Sequence, residues 1–200
     1  MIKDFVLKTH KEGHPILALM LVADIVLFSF SVHLGWACAT FIAFSIYFFR
    51  DPERVVPTGD GLVVSPADGI VQSIQKSLPP TELGMEKINM TRVSIFLDIF
   101  DVHVNRIPIN STVINLHYNP GRFINASLEK SSIYNERQSI HLRTENNDDI
   151  AVVQIAGLIA RRIVCDLNTD QSVKTGERFG IIRFGSKVDL YLPSSAEIKV

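Results

Sequence analysis

Cysteine is scarce in this sequence of 200 residues, which holds only Cys38 and Cys165. Two cysteines so far apart provide neither the disulfide framework of a small secreted domain nor the C-x-x-C spacing of a metal site. We therefore predict no metal site and no disulfide scaffold. The same scarcity favours a reducing environment on the cytosolic side.

An excess of charge of either sign is also missing, since 20 Lys and Arg residues balance 21 Asp and Glu residues at a formal net charge of −1. A nucleic-acid-binding domain needs a basic surface, so we expect no nucleic-acid partner. The length beyond the apolar N-terminal segment suffices for one domain with its own core.

A long apolar stretch covers residues 16–49 and is interrupted by Asp24 and the polar residues 31–33. Its two blocks, residues 16–30 and 34–49, would form helices of roughly 22 to 24 Å each, shorter than the ~30 Å hydrocarbon core of a bilayer. The pattern predicts an α-helical hairpin that dips into one leaflet. Residues 1–54 are thus predicted to be a membrane-associating hairpin with its flanks.

Basic residues flank this hairpin on both sides, with Lys8 and Lys11 before it and Arg50 and Arg54 after it. By the positive-inside rule both flanks are cytoplasmic, which predicts a peripheral or monotopic protein on the cytoplasmic face of the cell (inner) membrane. A secretory signal peptide fits less well, because a small-residue cleavage site is missing and the apolar stretch is too long. Asp24 is either a functional intramembrane carboxylate or a group lying near lipid head groups.

Residues 55–200 have the texture of a β-rich domain, with short β-branched runs between turn residues. In residues 87–100, one face of the predicted strand is aliphatic and the other is mixed, which is typical of a core strand. The aliphatic face has Val93, Ile95, Leu97 and Ile99, and the other face has Ser94, Phe96, Asp98 and Phe100. Residues 146–149 form a hairpin turn signal. We predict strands within residues 61–74, 87–100, 111–118, 139–144, 150–155, 178–184, 188–192 and 197–200, and a short helix within residues 126–135.

Four short motifs have the residue types of a reactive site: F-F-R-D-P at residues 48–52, S-P-A-D-G at 65–69, F-D-V-H at 100–103 and R-F-G-S at 183–186. Each one alone has an ordinary structural explanation. Asp68 can cap a turn, His103 can end a strand, and Gly185-Ser186 can form a bend.

Together and in this order, the motifs resemble the short form of the phosphatidylserine decarboxylase family. The resemblance covers nearly the whole chain and includes further segments: D-V-H-V-N-R-I-P at residues 101–108, P-G-R-F at 120–123, N-A-S-L at 125–128, N-E-R at 135–137, I-A-G-L-I-A-R-R-I at 155–163 and G-E-R-F-G at 176–180. It implies a mainly β (α+β) fold, with a barrel-sandwich-like catalytic domain behind the helical hairpin.

The resemblance further implies a precursor that cuts itself between Gly185 and Ser186. In the family, the serine hydroxyl attacks the carbonyl of the preceding glycine, and later elimination and hydrolysis leave a pyruvoyl group. Glycine suits this position because it admits the nucleophile without a side-chain clash. Asp68 and His103 are the candidates for the base and its orienting group. A large subunit, residues 1–185, and a small subunit, residues 186–200, would form a heterodimer.

The implied cofactor is the pyruvoyl group derived from Ser186, whose carbonyl forms a Schiff base with the amine of phosphatidylserine and accepts electrons as carbon dioxide leaves. Phosphatidylethanolamine is the product. His103 is implied as the acid that protonates the resulting carbanion. The long form has a second histidine where this sequence has Arg106, so the residue that serves as base in self-cleavage stays open.

Two other interpretations are compatible with parts of the sequence. A membrane-tethered adaptor of the lipoyl or barrel-sandwich type would explain the hairpin and the strands, but not the co-occurrence of Asp68, His103 and Gly185-Ser186. Decarboxylation of another serine phospholipid, such as an archaeal ether lipid, would require the same chemistry. In short-form relatives the chain continues further past the cleavage serine, so either the last strands are dispensable here or the chain is truncated.

Overall fold

The computed structural model describes residues 8–59, 61–158, 162–183 and 186–199. The chain divides into two compact units, Met1–Arg54 and Val55–Val200.

The first unit is a helical hairpin. A 3-10 turn, Lys11–Gly13, leads into helix α1, His14–Phe30, and helix α2 covers Val32–Phe48. The extended backbone of Ser31 separates the two helices. Phe28 and Trp36 contact edge to face with ring centroids 6.1 Å apart, and Thr9 and Arg50 form an antiparallel bridge at the open end. These contacts make the helices antiparallel, as predicted.

The first helix of this hairpin is longer than the sequence pattern indicated. Together with the preceding turn it covers Lys11–Phe30, 20 residues with a mean hydropathy of 1.9. By length and composition it is able to cross a membrane, whereas Val32–Phe48 is shorter. Large apolar side chains along both helices are exposed, including Leu19, Ile25, Phe30, Trp36 and Phe41.

Within its described residues, the second unit holds ten strands and the short helix α3, Ser131–Tyr134. The strands are β1 Ile70–Ser77, β2 Met90–Leu97, β3 Val104–Arg106, β4 Ser111–Asn119, β5 Arg137–Thr144, β6 Asp149–Ala156, β7 Ile163–Cys165, β8 Ser172–Val173, β9 Arg178–Ile182 and β10 Ser186–Leu192.

These strands form two sheets. The large sheet has the order β1-β2-β10-β6-β5-β4-β8, and the small sheet has the order β3-β9-β7. All of these strand pairs are antiparallel. The large sheet is an open ladder with β1 and β8 at its edges. Strand β10 therefore lies inside this sheet, paired on both sides.

The core lies between the two sheets. Val93, Ile95 and Leu97 of β2 are buried in it together with Val188 and Leu190 of β10, their partners or near partners in the ladder. The small sheet contributes apolar side chains from β9, Phe179 and Ile182. The predicted alternation along residues 87–100 is thus confirmed over Met90–Leu97. The predicted fold class, mainly β with an N-terminal helical region, is confirmed as well.

Some predicted elements differ. Residues 61–69 form no strand. They are linked to the segment around Pro108 by isolated backbone hydrogen bonds, such as the one that Val64 N donates to Pro108 O at 2.9 Å. Residues 197–199 form no strand either. Strands β3, β7 and β8 were not predicted, because two or three residues are too few to show a period of two. The predicted hairpin turn is confirmed between β5 and β6, with Asn147 at a φ of 62°.

Candidate active site

Ser186 is the first residue of β10. It lies directly opposite Leu97 of β2 on one side and Ala156 of β6 on the other. Its side chain is fully buried, and among the described residues its Oγ has no hydrogen-bond partner. A buried hydroxyl without a partner is costly and uncommon, so it marks a position with a requirement other than stability. Gly185, the other half of the predicted cleavage pair, lies outside the described residues.

Asp68 lies at the same end of the large sheet as Ser186. It precedes Gly69 and strand β1, whose first residue, Ile70, is paired with Phe96. In the antiparallel register of β1 and β2, the residue before Ile70, Gly69, is level with Leu97, and Leu97 is itself paired with Ser186. Asp68 is half-buried there.

The segment before β1 also runs along the small sheet. Val64 N donates to Pro108 O and Arg106 N donates to Pro66 O, each at 2.9 Å. These two bonds define an antiparallel register. Continued by two residues, that register brings Asp68 level with Val104, the residue after His103.

His103 is fully buried, and its backbone carbonyl accepts a hydrogen bond from Ile182 N at 3.4 Å. Its Nδ1 lies 3.1 Å from the carbonyl oxygen of Asp101. A carbonyl can only accept, so in the neutral ring Nδ1 carries the proton and Nε2 carries the lone pair. Nε2 is therefore the atom that can take up or deliver a proton.

The structure thus places Asp68, His103 and Ser186 at one end of the two stacked sheets. Ile182, the ladder partner of His103, is four positions before Ser186. Arg106, which stands where the family's long form has a second histidine, donates from Nη1 to Gly176 O at 2.9 Å. A guanidinium stays protonated in proteins, so Arg106 is unsuited to act as a base.

Sequence reasoning gave Asn135 no role, although it belongs to the N-E-R segment. The side chain is fully buried. Its Nδ2 donates to Ile124 O and to Ala156 O, each at 2.7 Å, and its Oδ1 accepts from Ile124 N at 3.1 Å. Asn135 thereby fastens the loop at residue 124 to Ala156, the ladder partner of Ser186.

Two more buried amides were missed. Gln154 Nε2 donates to Asn105 Oδ1 at 2.8 Å, and both side chains are fully buried. The signal was present in the sequence, because Gln154 interrupts the apolar run I-A-V-V-Q-I-A at residues 150–156.

The opposite face of the large sheet carries a charged layer. Lys187, the residue after Ser186, is buried on this face near Arg92 and Asp189. Burial lowers the pKa of the Lys187 ammonium, and the charge of Asp189 partly offsets this. Burial, together with Asp189, raises the pKa of Tyr191 to about 12. Lys187 and Arg92 line a cavity of about 330 Å³.

No arrangement of three or more His, Cys, Asp or Glu side chains suited to a metal ion occurs within the part of the chain that the structure describes. The candidate residues are instead one buried hydroxyl, one imidazole and one carboxylate near the end of the sheets.

Comparison with known proteins identifies the family. Residues 41–200 match the family model described as phosphatidylserine decarboxylase. The chain is 58% identical over 193 residues to the phosphatidylserine decarboxylase proenzymes of Rickettsia bellii (strain OSU 85-389) and Rickettsia akari (strain Hartford), and 56% identical to that of Rickettsia typhi (strain ATCC VR-144 / Wilmington). Each comparison covers 96% of this chain and 83% of the relative. The chain therefore belongs to the phosphatidylserine decarboxylase family, as its motifs predicted.

Proposed function

We propose that this chain is a proenzyme that cuts its own backbone between Gly185 and Ser186 and then decarboxylates phosphatidylserine to phosphatidylethanolamine and carbon dioxide. The observation that carries the proposal is the buried Ser186 hydroxyl without a partner, at the sheet end that also holds Asp68 and His103. Membership of a family whose relatives are named proenzymes supports it.

In self-cleavage, the Ser186 Oγ attacks the carbonyl carbon of Gly185. The hydroxyl must lose its proton in this step, and a serine is a weak nucleophile without a nearby base. His103 Nε2 is a basic atom at this end of the sheets. Asp68 is the carboxylate that the strand register brings level with the next residue, Val104. These two residues are the candidates for the base and its orienting group in self-cleavage.

The pyruvoyl group formed at position 186 would supply a carbonyl that condenses with the substrate amine and accepts the electrons released with carbon dioxide. Residue 186 suits such a group, because the Ser186 side chain is buried at the start of strand β10. The chain's own contribution to this step is a positioned proton. His103 can deliver that proton from Nε2, because Nδ1 is held by the Asp101 carbonyl.

The mature protein would be a heterodimer of residues 1–185 and residues 186–200. The helical hairpin supports a location at the cell membrane, since one of its helices is long enough to cross a bilayer and its apolar side chains are exposed. The basic residues on both flanks, Lys8, Lys11, Arg50 and Arg54, favour its cytoplasmic face. The substrate is a membrane lipid, so such an anchor would keep the enzyme at its substrate.

The Ser186→Ala variant tests this proposal. Wild-type protein should appear as two pieces, and the smaller piece should have a blocked N-terminus that reacts with hydride or hydroxylamine. Ser186→Ala should stay one uncut chain without activity, because alanine has no hydroxyl to attack Gly185. Ser111→Ala is the matched control, since this buried serine on β4 donates to Ile109 O at 2.9 Å. A Ser186→Ala chain that still splits, or that decarboxylates phosphatidylserine while uncut, would refute the proposal.

A further inference from the structure

A buried pair of amides links the two sheets of the second unit. Asn105 lies on β3 of the small sheet and Gln154 on β6 of the large sheet, joined by one 2.8 Å hydrogen bond. That bond uses Asn105 Oδ1 and Gln154 Nε2. Within the described residues, the two remaining atoms, Asn105 Nδ2 and Gln154 Oε1, are buried and have no hydrogen-bond partner.

Such a pair stabilises the contact between two sheets less than apolar side chains would, because two of its buried polar atoms have no hydrogen-bond partner within the described residues. Each buried polar atom without a partner destabilises the fold, and apolar side chains of the same shape would avoid that loss of stability. Unsatisfied buried groups are rare in folded proteins. One unused donor and one unused acceptor together indicate that the pair has a further hydrogen-bonding partner at some stage.

Ser186 is near this pair and on the same face of the sheet. Ser186 is paired with Ala156, and Gln154 is two residues away from Ala156 on the same strand. Such diagonal neighbours have Cα atoms about 7–8 Å apart, within reach of long side chains. Ser186 Oγ is itself a buried atom without a partner among the described residues.

Asn105 is related to His103 in the same way. His103 continues the β3–β9 ladder through its bond with Ile182, so it lies two residues from Asn105 along an extended chain. Residues two apart on a strand point to the same face. Both side chains are fully buried. The amide donor and the imidazole thus belong to the interior face of the small sheet, and the serine hydroxyl belongs to the interior face of the large sheet.

We propose that Asn105 is a catalytic residue of self-processing, and that Gln154 is the residue that positions it. The Nδ2 group of Asn105 donates a hydrogen bond to Oγ of residue 186 after the acyl shift. It stabilises the negative charge that forms on this oxygen when the Gly185 carboxylate leaves. This inference rests on the proposed self-cleavage and assigns one of its steps.

The chemistry of that step requires such a donor. In the acyl shift, Oγ loses its proton, the bond from Oγ to the Gly185 carbonyl carbon forms, and the peptide C–N bond breaks with protonation of the amine. In the elimination, a base removes the Cα proton of residue 186 and the Cβ–Oγ bond breaks. A Cα=Cβ double bond forms, and Oγ leaves as part of the Gly185 carboxylate. Negative charge therefore develops on Oγ, where an N–H donor stabilises the transition state.

The Asn105→Leu variant removes this donor at nearly constant shape. We expect the acyl shift to proceed and the elimination to slow about 100-fold, as for the loss of one oxyanion donor. The ester form should therefore accumulate. Hydroxylamine cleaves this ester and leaves a hydroxamate on Gly185 and a free amino group on Ser186, whereas the mature small subunit has a pyruvoyl end. Intact-mass measurement with and without hydroxylamine separates the two products.

A double variant separates catalysis from folding. Asn105→Leu with Gln154→Met leaves neither amide behind unpaired, so the fold should persist. Its thermal unfolding is compared with that of the single amide variants in the uncut Ser186→Ala background, in which all chains are in the same state. Asn115→Leu serves as a matched control, because the Asn115 amide on β4 donates to Leu83 O at 3.2 Å.

Accumulation of the hydroxylamine-sensitive ester in a folded double variant supports the proposal. Maturation at the wild-type rate overturns it, and so does a folded chain that retains its peptide bond, which would move the pair to an earlier step. A double variant that fails to fold would make the pair a structural link only and would also overturn it. If wild-type protein never forms the pyruvoyl end, the proposed function fails instead, independently of these variants.

Discussion

The backbone carbonyl oxygen of Phe96 occupies the space that a Cβ atom on Gly69 would need. Gly69 also has a φ of 148°, a conformation that other residues rarely adopt. It is the residue between Asp68 and strand β1. The close approach of the two backbones therefore sets where Asp68 lies relative to the row of Leu97 and Ser186.

We expect Gly69→Ala to destabilise the second unit by about 1–3 kcal/mol, since the strained conformation and the clash add together. It should also slow self-cleavage by moving Asp68. Thermal unfolding and the rate of subunit formation on a gel measure the two effects. Gly84→Ala is the control, because Gly84 has a φ of 68° but open space around its Cα. Equal effects of both variants would contradict the role of the close approach.

His103→Ala should lower decarboxylation more than self-cleavage. Loss of a positioned general acid or base typically costs 10²- to 10⁴-fold in rate, and the orientation of Nε2 suits proton delivery. Carbon dioxide release is measured beside subunit formation. His117→Ala, at an exposed position on β4, should change neither. Equal losses in both reactions would instead make His103 the base of self-cleavage, and normal turnover would exclude it from the mechanism.

Glu82 makes the stability of the second unit depend on pH in the acidic range. Its carboxylate accepts hydrogen bonds from Arg137 Nε at 2.8 Å and Ser139 Oγ at 3.0 Å. Burial alone would raise its pKa, but these bonds outweigh burial and hold the pKa below its usual value. A depressed carboxyl pKa stabilises the fold at pH values above the unfolded pKa of about 4.3, and this is lost as the pH falls through the folded pKa.

We therefore expect Glu82→Gln to lower the free energy of unfolding by about 1–3 kcal/mol at pH 7, and this loss to shrink progressively as the pH falls below about 4. Denaturant unfolding of the uncut Ser186→Ala chain at several pH values measures this difference. Glu197→Gln is the control, since Glu197 and Lys199 form an exposed pair at 3.6 Å. A cost for Glu82→Gln that stays constant from pH 7 to pH 3 would contradict the pKa argument.

Deletion of residues 1–54 should release the second unit from membranes. The reason is the exposed apolar surface of the hairpin, which water solvates poorly. Fractionation at low and high salt compares the full-length chain with the deletion variant. A full-length chain that stays in the soluble fraction at low salt would show that the hairpin is not an anchor.

The sequence predicted the long strands well because each has one face in a core. Strands β2, β5 and β6 have eight residues each and contribute several apolar side chains to the core, so their apolar runs are visible in the sequence. Strand β3 has three residues and gave no such signal, although it carries Asn105. The first apolar span was underestimated at its N-terminal end, because the polar turn Lys11–Gly13 and His14 at the start of α1 carry no apolar signal.

The candidate site was found by resemblance rather than by physical pattern. Asp68, His103 and Ser186 are far apart in sequence, and their placement at one end of the sheets depends on the order of the strands. Antiparallel pairing of β10 with both β2 and β6 cannot be derived from the local sequence of any of these strands. The Asn105–Gln154 pair depends on the stacking of one sheet on the other, which local sequence also leaves undetermined.

The interior position of β10 has a mechanical consequence for a chain cut before Ser186. The strand exchanges backbone hydrogen bonds with two neighbours over most of its length, and both neighbours belong to the larger piece. Such a cut would break the backbone but leave the sheet intact. The short piece could dissociate only if the hydrogen bonds of β10 to both β2 and β6 broke together. We expect the two pieces to purify as one particle and to separate only in denaturant.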